Sequence, residues 1–271
     1  VACTPDPGDV PHRLHIPDWT FAVEPGQGEP TERIEEVWVY TERGVLGAFP
    51  LPADISLLQE DLGASESLTL LPGIRVNGVS ASRKPYPFYR TTVLDLAVTP
   101  GQQDTLIPAT GYADGVEVVV AEDFETANRF SEASTSTAEV VRTTDPDLVL
   151  DGEASGYIVL GPDARVLTAT TNEQQYPLPP DGAVWLEIDY RCSHEFAVGL
   201  LAVNGVNTTR TPILVLRATE GERKKVYLDL APVVRSLPGT DWWELTLDAA
   251  WDGTTEGAYV VVDNLKLVTF E

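Results

Sequence analysis

The chain of 271 residues has no methionine, two cysteines and three histidines, and it sets 18 Lys and Arg against 42 Asp and Glu. Its formal charge of −24 reflects a shortage of bases, because charged residues of both signs make up only 22%. A field of that sign repels phosphate backbones and argues against nucleic acid as a partner. A basic patch for anionic lipid headgroups is disfavoured for the same reason. No stretch approaches the roughly 18 consecutive apolar residues of a membrane-spanning helix. G-x-S-x-G elbows, P-loops and dinucleotide fingerprints are also missing, which leaves nucleotide chemistry without support. What is present is 43% hydrophobic residues, enough for a real core, with 21 Gly, 21 Pro and no long helical period. These features describe an all-β protein of one large or two ordinary domains.

The missing methionine leads us to expect an N-terminus lost by processing. Val1-Ala2-Cys3, followed by Thr4-Pro5-Asp6-Pro7-Gly8-Asp9, resembles the end of a bacterial lipoprotein signal, where small residues precede the acylated Cys. The resemblance implies a lipid on Cys3 and an exported protein. It would be held at the outer membrane or cell surface by that lipid alone, since each buried methylene contributes about 0.8 kcal/mol. A free thiol or a bridge to Cys192 is the alternative. The acidity fits export and also fits a salt-adapted organism.

Residues 1–32, with Pro at 5, 7, 11, 17, 25 and 30, read as a leader too broken for helix or central strand. Residues 33–113 read as a small β-sandwich. Ile34–Tyr40 and Val45–Phe49 form a hairpin about Arg43-Gly44, followed by strands at Ser67–Leu71 and Thr92–Val98. A boundary falls near Tyr112-Ala113-Asp114-Gly115, and 116–271 carry enough short strands for a jelly-roll sandwich. The stretch from Glu36-Val37-Trp38-Val39-Tyr40 to Pro50-Leu51-Pro52, with Pro72-Gly73-Ile74-Arg75-Val76-Asn77-Gly78 and Tyr86-Pro87-Phe88-Tyr89, resembles hypothetical surface lipoproteins of Bacteroidota. Glu122-Asp123-Phe124-Glu125 and Val262-Asp263-Asn264-Leu265-Lys266-Leu267 make the second half similar to carbohydrate-binding-module jelly rolls. That resemblance implies a structural calcium ion held by Glu122, Glu125 and Asp263; no cofactor is otherwise required.

Alternation along the strands suggests a ligand surface. In Trp185–Tyr190 the core row is Leu186, Ile188 and Tyr190, which leaves Trp185, Glu187 and Asp189 on the opposite face. Tyr227 and Asp229 oppose an apolar row in the same way, as do Trp242 and Glu244, with Thr246 and Asp248. If these strands share a sheet, aromatics and carboxylates gather where a sugar could stack and hydrogen-bond. The same residues fit rims covered by loops. His12 and His15 make a weak metal pair, and Cys192 beside His194 lacks an orienting third group for nucleophilic catalysis. Arg83-Lys84 with Tyr86–Tyr89 reads as a loop over a sandwich end or a partner contact.

The expectation is a non-catalytic cell-envelope lipoprotein, an accessory subunit of an outer-membrane or cell-surface protein assembly. The alternative is a surface glycan-binding protein using the Trp185/Trp242 face. A carbohydrate-active hydrolase with Glu187 and Glu244 is the weaker third reading.

Overall fold

The computed structural model describes residues 10–171 and 175–270. Cys3 lies outside them. The chain divides into two compact units, Val1–Glu24 with Pro30–Asp114, and Pro25–Glu29 with Gly115–Glu271. Both are built from strands, so the molecule is all-β.

Unit 1 contains β1 (His12–Ile16), β2 (Thr20–Ala22), β3 (Glu36–Thr41), β4 (Gly44–Pro50), β5 (Ala53–Leu57), β6 (Ser65–Arg75), β7 (Arg83–Pro85), β8 (Thr92–Ala97), β9 (Gln103–Thr105) and β10 (Ala109–Gly111), with one helical turn, α1 (Gln59–Leu62). They form sheets in the orders β5-β1-β9, β10-β2 and β4-β3-β6-β7, with β8 also paired to β6. Alternation fixes the inward rows, which include Val37 and Val39 of β3 and Leu68 and Leu70 of β6, all buried.

Of the expected leader, residues 1–32, the described part from residue 10 onward carries strands, and residues 1–9 lie outside the described residues. His12–Ile16 is a central strand between β5 and β9, with Leu14 and Ile16 buried, and Thr20–Ala22 pairs with β10. Pro11 and Pro17 flank β1 rather than interrupt it, so its N–H groups remain free to pair. The aromatic segment after Arg83 is core, not a docking loop: Tyr86, Phe88 and Tyr89 are buried. Tyr89 packs its ring 4.6 Å from Tyr86 and 4.8 Å from Phe21.

Unit 2 contains β11 (Val116–Glu122), β12 (Ser131–Glu132), β13 (Val141–Thr143), β14 (Ser155–Leu160), β15 (Val166–Thr170), β16 (Val184–Cys192), β17 (Phe196–Asn204), β18 (Asn207–Leu216), β19 (Lys224–Asp229), β20 (Trp242–Ala250) and β21 (Ala258–Phe270), with the short helix α2 (Ala231–Ser236). A six-stranded sheet runs β13-β14-β21-β16-β19, with β11 continuing beside β14 along the 13-residue β21. A five-stranded sheet runs β12-β15-β20-β17-β18. Leu186, Ile188, Leu228, Val260 and Val262 of the first sheet share one core with Val198, Leu200, Leu245 and Leu247 of the second. This two-sheet packing is the jelly-roll sandwich. Each such side chain contributes about 1.5–3 kcal/mol when fully buried.

Two features shape the six-stranded sheet. Asn264 adopts φ +48° where the β16–β21 register shifts, a conformation Asn tolerates better than most residues. The bulge lets Asp263 and Lys266 both face away from the core. At Gly156 an added Cβ would fall 2.5 Å from the ring of the buried Phe124. We predict that Gly156→Ala destabilises the fold by about 1–3 kcal/mol through this overpacking. Denaturant unfolding would show the loss as a lower midpoint, and an unchanged midpoint would contradict it.

Candidate functional site

The outward face of the six-stranded sheet holds most of the residues singled out by strand alternation. Trp185 lies opposite Asp229, Glu187 opposite Tyr227, and Asp189 opposite both Lys225 and Asp263. These neighbours do not form an open ligand surface, which corrects the expectation for this group. Trp185 is 1% and Tyr227 2% exposed, and Glu187 and Asp189 are buried with them.

Charge pairing occupies the row. Lys225 Nζ lies 3.3 Å from Glu187 Oε2 and 3.8 Å from Asp189 Oδ1, and it sits 5.8 Å above the Tyr227 ring. Arg223 donates to Asp189 Oδ2 at 2.7 Å, and Asn264 Nδ2 donates to the same oxygen at 3.3 Å. Lys266 Nζ donates to the carbonyl of Glu29, so the segment Pro25–Glu29 lies over this end of the sheet. Gly28, at φ +73°, permits that approach, since a Cβ there would meet Lys266 Cε at 3.0 Å. Asp229 accepts the Ala231 N–H at the start of α2.

Trp242 and Glu244 are corrected in a different way. They lie on β20, in the five-stranded sheet, opposite Val203 and Leu201. They share no face with Trp185 and Glu187, because strand order places β20 between β15 and β17. The carboxylate pair Glu187/Glu244 proposed for hydrolysis is therefore not assembled. On that second outward face, Arg210 lies across the sheet to Asp248 at 2.9 and 3.0 Å and to the Ala169 carbonyl at 2.8 Å.

Glu122, Glu125 and Asp263 do not converge as cation ligands, and among the described residues no group of three His, Cys, Asp or Glu side chains could hold a metal. Glu122 accepts the N–H groups of Phe124 and Arg129, both at 2.9 Å, and Glu125 accepts those of Glu153 and Ala154. Asp263 accepts from Ser155 Oγ at 2.6 Å and from the Asn264 N–H at 2.8 Å. The histidines are similarly committed. His12 accepts from the Thr99 N–H and faces Asp104, whereas His15 pairs with Asp54. His194 accepts the Asp252 N–H on Nε2, which leaves Nδ1 to donate to the Glu195 carbonyl. Burial pushes the Cys192 thiol up to about 11, and its Sγ lies 3.3 Å from the Arg217 carbonyl, so it is no activated nucleophile.

The open part of the six-stranded sheet lies at its other end. Tyr157 of β14 and Tyr259 of β21 point outward, half-buried, with ring centroids 6.4 Å apart and planes inclined at 43°. Tyr157 stands opposite Val141 on one side and Val261 on the other, and Val261 stands opposite Arg191. Arg191, across Val261 from Tyr157 on the same face, donates to the Asp147 carbonyl. Burial first, then Tyr259 and Asp145, raise the Tyr157 phenol above its usual value, so it remains a neutral donor and acceptor. The sequence reading missed this pair, although both tyrosines occupy outward positions of alternating strands, in Gly156-Tyr157-Ile158 and Ala258-Tyr259-Val260. The arrangement offers two aromatic rings, two phenols and a guanidinium on a half-buried surface, with no nucleophile or paired acid among them.

No family model matches the chain, and no curated protein matches it. Among solved structures it is similar to a xylan-binding domain of carbohydrate-binding-module family 22, at 10% identity and TM-score 0.36 over 55% of this chain and 93% of that one. It is also similar to the second family 22 xylan-binding domain of a Paenibacillus barcinonensis protein, at 14% identity and TM-score 0.37 over 56% of this chain and 99% of that one. A family 61 module solved with β-1,4-galactotriose gives 15% identity and TM-score 0.34 over 54% of this chain and 93% of that one. At these TM-scores the function has to be read from this chain's own side chains.

The buried row makes stability depend on pH in a defined direction. Burial, reinforced by Asp189 and Asp151, raises the Asp263 carboxyl from 3.8 to about 7. The folded state then holds this proton more tightly than the unfolded chain, and stability falls as pH rises from about 3.8 through about 7. Lys266, pulled by burial from 10.5 to about 8, titrates above that window. We predict that Asp263→Asn flattens the fall, and unfolding curves at several pH values would show it. Parallel decline of variant and parent would contradict the assignment.

Proposed function

We propose that this chain is a non-catalytic glycan-binding protein whose second unit takes a sugar chain on the Tyr157/Tyr259 end of the six-stranded sheet. The half-exposed tyrosine pair beside Arg191 carries this reading. Aromatic planes stack on the C–H faces of pyranose rings, and the phenols and guanidinium supply hydrogen bonds to hydroxyls. An open platform rather than an enclosed cleft suits the side of a polymer. The surplus of acidic side chains selects for uncharged glycans, because carboxylated ones meet like charge. Export and acylation of Cys3 belong to the same proposal, since a surface anchor would place the platform where polysaccharide is encountered.

Tyr157→Ala and Tyr259→Ala are each expected to weaken binding of a soluble neutral polysaccharide about tenfold, which corresponds to about 1.4 kcal/mol. Trp242→Ala is expected to leave it unchanged. Affinity electrophoresis in gels containing xylan, galactan or mannan checks this, with circular dichroism as the folding control. Retardation by none of the three, or retardation of both tyrosine variants equal to that of the parent, would remove the proposal.

A further inference from the structure

We propose that the outward face of the five-stranded sheet in unit 1 is the docking surface for a protein partner that presents lysine or arginine beside an aliphatic strand. The inference goes beyond the glycan reading and rests on different residues. Strand register lays out the face. Val45, Tyr40, Thr69 and Val93 form one row across β4, β3, β6 and β8, and Ala48, Trp38 and Leu71 form the next. Val45 is 59% and Val93 62% exposed, whereas the inward neighbours Val37, Val39, Leu68 and Leu70 are buried. A Cβ on Gly73 would fall 2.7 Å from Trp38 Cδ1, so the indole lies flat on the sheet and widens the apolar surface. Contiguous apolar area of this kind on a folded surface marks an interaction site.

Charge decides the occupant. The same face continues two residues further along each strand to Ser67 and Asp95, which are cross-strand partners. There a groove of about 490 Å³ is lined by Glu42, Ser67 and Asp95 of this face and by the buried Glu66 of the inward-facing row, with no basic residue. Glu66 also accepts the Glu42 N–H at 3.0 Å, which fixes the two acids together. A complementary surface therefore carries aliphatic side chains over the Val45–Val93 row and a cation over the groove. A second copy of the chain would bring the same acidic groove and a formal charge of −24, so like charges would oppose. Tyr40, Thr69 and Trp38 of these rows are half-buried, and the strongly exposed Val45 and Val93 offer a sugar no hydrogen bond.

The test is calorimetric titration of the full chain with two synthetic peptides, one alternating lysine and valine, the other glutamate and valine. Sedimentation of the chain alone accompanies it. The lysine–valine peptide is expected to bind, to weaken with added salt, and to lose about tenfold in affinity in Val93→Asp and in Asp95→Lys. Both side chains are exposed, so both variants should fold. Tyr157→Ala should leave this binding unchanged, which separates it from the glycan site. Equal binding of the glutamate–valine peptide, or undiminished affinity in Val93→Asp, would overturn the proposal. Displacement of the peptide by neutral oligosaccharide would reassign the face to carbohydrate. A dimer that Val93→Asp dissolves would reassign it to a second copy.

Discussion

Lys225 places its ammonium 3.3 Å from Glu187 and 3.8 Å from Asp189 in the middle of the outward face of the six-stranded sheet. Charges taken out of water in this way are tolerated only when their partners are fixed, and breaking such a pair costs about 3–5 kcal/mol. The bulge at Asn264, the guanidinium of Arg223 and the backbone of Glu29 supply further contacts around the row. The row therefore belongs to the scaffold. It closes one end of the sheet face to ligands and leaves the tyrosine end as its open part.

That division gives the two units separate surfaces with different chemistry. In unit 2 the open end combines aromatic rings with hydrogen-bonding groups, the mixture that suits a hydroxylated ligand. In unit 1 the open sheet face combines aliphatic and aromatic rows with a groove of carboxylates, the mixture that suits a basic polypeptide surface. The shortage of lysine and arginine across the chain reinforces both choices. It disfavours anionic glycans at the first surface and self-association at the second.

Much of the architecture was legible in the sequence because alternation reports which face a strand residue occupies. Trp185, Glu187 and Asp189 do share a face, as do Tyr227 and Asp229. Alternation does not report whether that face is covered. It could not show that Lys225 and Arg223 meet these carboxylates, nor that β20 belongs to the other sheet, because strand order is set by contacts far apart in sequence. The proline count in residues 1–32 misled for a local reason: Pro11 and Pro17 stand just outside β1, where no ladder N–H is needed. The calcium resemblance did not show that carboxylates near a chain turn have another use. Glu122 and Glu125 accept backbone N–H groups instead.

The central claim is that the six-stranded sheet is closed at Trp185 and Tyr227 and open to sugar at Tyr157 and Tyr259. Hydroxyl-radical footprinting of the full chain, read by mass spectrometry with and without a neutral oligosaccharide, tests it directly. The account predicts labelling of Tyr157 and Tyr259 in the free chain, suppressed by the oligosaccharide, with Trp185 and Tyr227 unlabelled in both samples. Labelling of Trp185 and Tyr227 that the oligosaccharide suppresses, with Tyr157 and Tyr259 indifferent to it, would contradict the account.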